Sequence, residues 1–204
     1  MIEGFTKTVI RCNGVDLAVH RAGQGRPLLL IHGFPQNHMC WESVAPQLAR
    51  RHDVIIPDLR GYGESSAPAN DAGNTTYSKR TMAQDMADLL TALDISRADV
   101  LGHDRGARVA YRFALDHPER LCKLGIIEIV PTADFWASWT ADLAMAAYHW
   151  TFLAQPAPLP ERMIGADPVA YVEWTLAQWT LTKSLEAFSP AALDSYRAQA
   201  LDPA

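Results

Sequence analysis

Three cysteines, Cys12, Cys40 and Cys122, are too few and too widely spaced for a disulfide framework or a zinc cage, and their odd number leaves a thiol over. Reduced thiols of a cytoplasmic protein are expected. No run of Lys or Arg breaks a net charge of −5, which gives no basic footprint for nucleic acid and no patch for an anionic membrane. No segment approaches the roughly 20 apolar residues of a membrane span. The stretch from Met1 to Lys7 carries an early acid, Glu3, and no apolar leader core, so a soluble, unexported protein is expected. His and acidic residues nowhere fall at metal-ligand spacing, and neither a metal nor a cofactor is expected. Repeats and low-complexity tracts are also lacking.

The chain does have enough apolar residues, 49% of 204, to bury a sizeable core. Phe5 to Cys12 and Val15 to Ala22 read as strands joined by Asn13-Gly14, a strong hairpin signal that predicts an antiparallel start. Leu28 to Ile31 and Val54 to Ile56 are continuous apolar runs, as in parallel strands buried on both faces, with a helix predicted between them from Trp41 to Arg50. A helix from Thr81 to Leu93, a strand at Val100-Leu101, a helix from Arg105 to His117 and a strand from Leu124 to Ile129 continue the α/β pattern. Past Pro131 the sequence turns rich in Trp, Ala and Leu at helical spacing, broken by the prolines of 155–160, without a strand candidate. The predicted division is an α/β core over 1–131 and a helical cap over 132–204.

Gly102-His103-Asp104-Arg105-Gly106 joins the Val100-Leu101 strand to the following helix in the form of a nucleophile elbow, with a carboxylate where a serine hydrolase carries its hydroxyl. Serine attacks carbonyl groups. An aspartate so placed can displace a leaving group from saturated carbon and become an alkyl ester. The helix N-terminus favours an ionised carboxylate there. A plain N-cap is the competing role for Asp104. His32-Gly33-Phe34-Pro35 follows the Leu28 to Ile31 strand, and its Gly allows close backbone approach. The N–H groups of Phe34 and Arg105 are therefore candidates for an oxyanion hole. The Gly-punctuated loop from Asp58 to Ser66 is expected to shape the site without reacting.

These motifs, His-Gly-Phe-Pro at 32–35, Asp-x-Arg-Gly-x-Gly-x-Ser at 58–65 and the aspartate elbow, resemble in order and spacing those of the α/β-hydrolase superfamily. Within it, the stretch from Phe34 to Trp41, the elbow through Val109, and Tyr148-His149-Trp150 resemble the haloacetate (fluoroacetate) dehalogenases over essentially the whole chain. The resemblance implies an α/β-hydrolase fold with a helical cap, and hydrolytic release of halide from a haloacetate by way of an ester on Asp104. It implies that Arg105 and Arg108 bind the substrate carboxylate, that His149 and Trp150 bind the departing halide, and that Trp179 lines the pocket. Three residues apart on one helix, the two arginines can face the same way and grip a carboxylate bidentately. Indole and imidazole N–H groups can stabilise a departing anion in a dry site. Packing alone also accounts for Trp179.

Glu128 stands where the dehalogenase pattern has an aspartate, and is expected to orient a catalytic histidine; a salt-bridged Glu at the sheet rim is the alternative. The resemblance places that histidine, further strands and a third halide donor beyond residue 204. None of His20, His32, His38, His52, His103, His117 and His149 is assigned as general base, so ester formation without efficient turnover is expected. It also implies a possible homodimer. An epoxide hydrolase or haloalkane dehalogenase would share the aspartate elbow, but Arg105 with Arg108 favours an anionic substrate. A non-catalytic scaffold that binds a small acid is the remaining alternative.

Overall fold

The computed structural model describes residues 1–202. Six strands form one sheet: β1 (Thr6–Cys12), β2 (Val15–Ala22), β3 (Arg26–Ile31), β4 (His52–Pro57), β5 (Ala98–His103) and β6 (Leu121–Ile127). Their order is β1-β2-β4-β3-β5-β6. The first hairpin turns at Asn13 and Gly14, with φ of 45° and 78°, the left-handed pair that matches strand twist. β1 and β2 pair antiparallel, as do β2 and β4, whereas β4, β3, β5 and β6 run parallel.

Helices α1 (Ala45–Leu48), α2 (Lys79–Ala92) and α3 (Arg105–Asp116) connect the strands. The apolar runs are unbroken because both faces of the sheet are covered. Leu29 and Ile31 face the cluster built with Met82, Met86, Val109 and Phe113 of α2 and α3, while Leu28 and Leu30 are also buried. The helix predicted from Trp41 to Arg50 is shorter. A 3-10 turn, His38–Trp41, capped by the Asn37 side chain, comes first, and α1 follows with Pro46 in its first turn. Proline has no N–H and its ring hinders a helix from running through it, so the two turns stay separate.

Two compact units divide the chain. The first comprises Met1–Ile129 and the segment from Phe188 onward; the second is Val130–Ala187. The second unit contains α4 (Thr132–Ala137), α5 (Ala141–Ala146), α6 (Tyr148–Phe152), α7 (Leu159–Ala166) and α8 (Pro168–Gln178). Here the structure departs from the division at 131, because α9 (Pro190–Ala200) leaves the helical unit and packs on the first. Tyr196 of α9 is buried to 1% exposure, and Ser195 hydrogen-bonds Asn37. An apolar helical face states that something must cover it, without saying what.

Candidate active site

The register of the central strands creates the site. Ile31 at the end of β3 lies opposite Gly102 of β5, so the residues leaving β3, His32-Gly33-Phe34, run beside the turn that leaves β5. Strand order also reverses here, β4 lying on one side of β3 and β5 on the other, and such switch points form crevices at the carboxyl ends of strands.

Asp104 sits between β5 and α3 with φ 49° and ψ −118°, a backbone conformation costly for a residue with a side chain. Its backbone N–H donates to Ile127 O at 3.2 Å, and its carbonyl accepts from the N–H groups of Ala107 and Arg108. The carboxylate makes no capping bond to the helix. Instead Oδ1 accepts the Phe34 N–H at 2.7 Å. The approach is this close because residue 33 is glycine: a Cβ there would lie 2.5 Å from Asp104 Cβ. Gly106 serves the same turn, since a Cβ on it would come within 2.2 Å of Ile31 O, closing the seat of α3 on β3.

Arg105 and Arg108 stand on the first turn of α3, each half-buried. The Arg105 guanidinium lies over the rings of Phe34, at 5.2 Å, and Tyr62, at 5.7 Å. Burial and then the neighbouring Arg105 charge lower the pKa of Arg108. Lys79, at the start of α2, joins this group of cations and had no signal in the sequence. Burial first, then the charges of Arg105 and Arg108, bring its pKa down to about 7. Three cations around one carboxylate make a field suited to a second anion. Asp104 supplies too little negative charge to balance them alone.

Glu128 follows β6 with φ 65° and is exposed; its Oε2 lies 2.9 Å from His103 Nε2. The histidine expected to pair with Glu128 is placed beyond residue 204, and His103 is not assigned as a base. Among the described residues the partner of Glu128 is His103, because β5 and β6 are paired with His103 opposite Ile127, next to Glu128.

Behind the Phe34 turn lies a buried polar network. Asp58 accepts the His38 N–H at 2.7 Å and the Glu64 N–H at 3.0 Å, with His38 Nδ1 at 2.9 Å. Burial pushes the Asp58 carboxyl up, but the bonds and charge of His38 outweigh it and leave the pKa lowered. His32 Nε2 accepts the Leu59 N–H at 3.0 Å, so the neutral ring carries its proton on Nδ1, toward Gly33 O. His20, His38 and Asp58 bring ligand-type atoms within 4.8 Å of one another. The two imidazoles, however, stack at 3.6 Å with planes 15° apart. Their in-plane lone pairs run side by side instead of converging on an ion, and the cluster holds loops together. The Asp58 to Ser66 loop is thus a support, and Ser65 adds a bond from its hydroxyl to Asp58 O.

In the helical unit, the His149 ring lies 4.7 Å from that of Trp179, and Trp150 stacks on Phe135 at 4.0 Å. His149 and Trp179 thus belong to one group of rings in that unit and Trp150 to another with Phe135 and Trp136, whereas Phe34, Asp104, Arg105, Arg108 and Glu128 belong to the first unit. No helix among the described residues is long and apolar enough to cross a membrane.

The fold and this strained carboxylate turn define the class: residues 26–203 match the alpha/beta hydrolase fold family, and the chain belongs to it. It is 43% identical to a fluoroacetate dehalogenase of Burkholderia sp over 204 residues, spanning all of this chain and 67% of that one. A soluble epoxide hydrolase of Corynebacterium sp. (strain C12) is 41% identical over 119 residues, 58% of this chain and 40% of that one. The solved structure of ALR0039 from Nostoc sp PCC 7120 superposes with a TM-score of 0.93 at 44% identity, covering 98% of this chain and 69% of the other.

Proposed function

We propose that this hydrolase removes halogen from haloacetates through a covalent ester on Asp104. The observation that carries the reading is the Asp104 carboxylate itself, placed on the turn between β5 and α3 with the Phe34 N–H on Oδ1 at 2.7 Å, which leaves Oδ2 as the oxygen assigned to attack. One oxygen is fixed and the other is left to react. Arg105 and Arg108 anchor the substrate carboxylate, which sets the α-carbon against Oδ2 and removes much of the entropic part of the barrier. An Oδ2 lone pair forms the new C–O bond as the carbon–halogen bond breaks. The bonding pair departs with the halide, for which the resemblance to haloacetate dehalogenases assigns His149 and Trp150 as N–H donors and Trp179 as a lining residue.

Hydrolysis follows when water attacks the Asp104 ester carbonyl. The Phe34 N–H is already on Oδ1, the oxygen that becomes the oxyanion, and the Arg105 N–H at the head of α3 is the second donor. Loss of one such donor costs a rate factor of about 100 or more. The attacking water gives its proton to a base, and the collapsing intermediate releases glycolate and restores the carboxylate. His32, His20 and His38 are committed to the buried network, leaving the His103–Glu128 pair beside the elbow. None of these histidines is assigned as the base, so ester formation is expected to outpace its hydrolysis. No cofactor or metal enters either step, and cytoplasmic location and a homodimer are part of the same reading.

Epoxide hydrolysis is the second reading, favoured by the 41% identity over 119 residues to such an enzyme. Against it stand the cations around Asp104, which suit an acid and have no role for a neutral epoxide. Incubating the chain separately with fluoroacetate, a neutral haloalkane and an epoxide decides between them. Fluoride release with a mass gain of one carboxymethyl group is expected. Reaction with the epoxide alone would select the second reading, and thermal stabilisation by fluoroacetate without covalent change would select a binding scaffold.

A further inference from the structure

From the bonds between α9 and the loops of the first unit, we infer that Gln199 and Ser195 form a brace that positions the Phe34 N–H on Asp104. The inference rests on the ester chemistry proposed above and adds positioning residues that lie outside the elbow and its flanking loops.

Gln199 Nε2 donates to Pro35 O at 3.0 Å, and its Oε1 accepts the Gly63 N–H. One amide thus ties the turn carrying Phe34 to the loop carrying Asp58. One helical turn earlier, Ser195 Oγ accepts from Asn37 Nδ2 at 3.0 Å, and Asn37 in turn caps the 3-10 turn His38–Trp41. Tyr196 between them is buried, with Gln36 beside its hydroxyl. Residues 35 and 37 are therefore both held from the same helix, immediately after the residue whose N–H must meet Oδ1. On the other side, Asp58 grips His38. Backbone donors catalyse only when their direction is fixed before reaction, and an amide able to donate and accept at once suits that task. Gln199 touches neither substrate nor Asp104; it acts through Pro35.

Gln199→Ala removes both bonds, and Gln199→Glu removes the donor to Pro35 O while retaining an acceptor for Gly63. Fluoroacetate is the probe, because it is the substrate proposed above, and the adduct is located on Asp104 by peptide mapping so that reaction at the exposed Cys122 is not counted. In single-turnover mass measurements both variants are expected to alkylate Asp104 about tenfold more slowly at saturation. The half-saturating concentration should stay within about twofold, since Arg105 and Arg108 are untouched. Ser195→Ala should show a smaller loss of the same kind. An unchanged maximal rate in both Gln199 variants overturns the brace while leaving the ester chemistry intact. So does an equal loss of rate and affinity, or failure of Gln199→Glu to fold, because each marks a merely structural helix contact. No adduct on the unaltered chain would instead overturn the Asp104 reading, and the brace with it.

Discussion

Lys79 is the residue whose charge the fold changes most usefully. Burial and the two nearby arginines lower its pKa from 10.5 to about 7, so the folded chain holds a proton there only below about pH 7. The unfolded chain keeps it up to about pH 10. Folding therefore releases this proton between those limits, and the Lys79 contribution makes stability rise with pH across that window. Its effect on substrate runs the other way: a charged Lys79 adds to the pull of Arg105 and Arg108 on an anion. The half-saturating concentration of fluoroacetate is expected to increase a few-fold from about pH 6 to about pH 8. Lys79→Met should bind more weakly at the lower pH and lose the increase; a pH profile identical to that of the parent would show that Lys79 does not contribute. Nothing in the sequence singled out Lys79, because its position beside two arginines exists only once α2 packs on α3. Asp104, by contrast, was legible from its two flanking glycines and from the strand and helix patterns that meet there.

Among the elements, the seat of α3 on β3 fixes the elbow. Gly106→Ala would put a methyl group 2.2 Å from a backbone oxygen, Ile31 O, with no flexible side chain to yield. A loss of about 3 kcal/mol in unfolding free energy, read from denaturant titration, is expected from overpacking of this kind. A loss under about 0.5 kcal/mol would mean that α3 can lift off at no cost. The strands were well read in the sequence, since continuous apolar runs and the Asn13-Gly14 turn are local signals. β1, for example, begins at Thr6 and ends at Cys12. Two elements were misjudged for non-local reasons. The Trp41 to Arg50 helix broke because Asn37 and Pro46 impose separate turns. α9 looked like more of the helical unit because amphipathic spacing reports a buried face and not its partner. The pairing of Glu128 with His103 likewise follows from the β5–β6 register, which no single segment encodes.

For the molecule as a whole, acid should be damaging well before the carboxylates titrate. His20 is fully buried with neither ring nitrogen hydrogen-bonded, and burial, then the His38 charge, lowers its pKa from 6.5 to about 4. Between these values the unfolded state binds a proton that the folded state refuses, so stability falls as pH drops through that range, by at most about 3 kcal/mol. Asp58, with a pKa below 3.8, titrates outside it. Thermal midpoints should decline from about pH 6.5 to about pH 4. His20→Phe, which keeps a ring against His38, should make that decline shallower, the buried His32 with its own lowered pKa supplying the rest; an equally steep profile in the variant would contradict the assignment. The proposed first covalent event is transfer of a carboxymethyl group to Asp104. Cys122 is an exposed free thiol, so the site of modification must be located and not only weighed. Peptide mapping after incubation with fluoroacetate is the direct measurement. A carboxymethyl group on Asp104, absent in Asp104→Asn, is the expected result; a group found on Cys122, or equal labelling of Asp104→Asn, would contradict it.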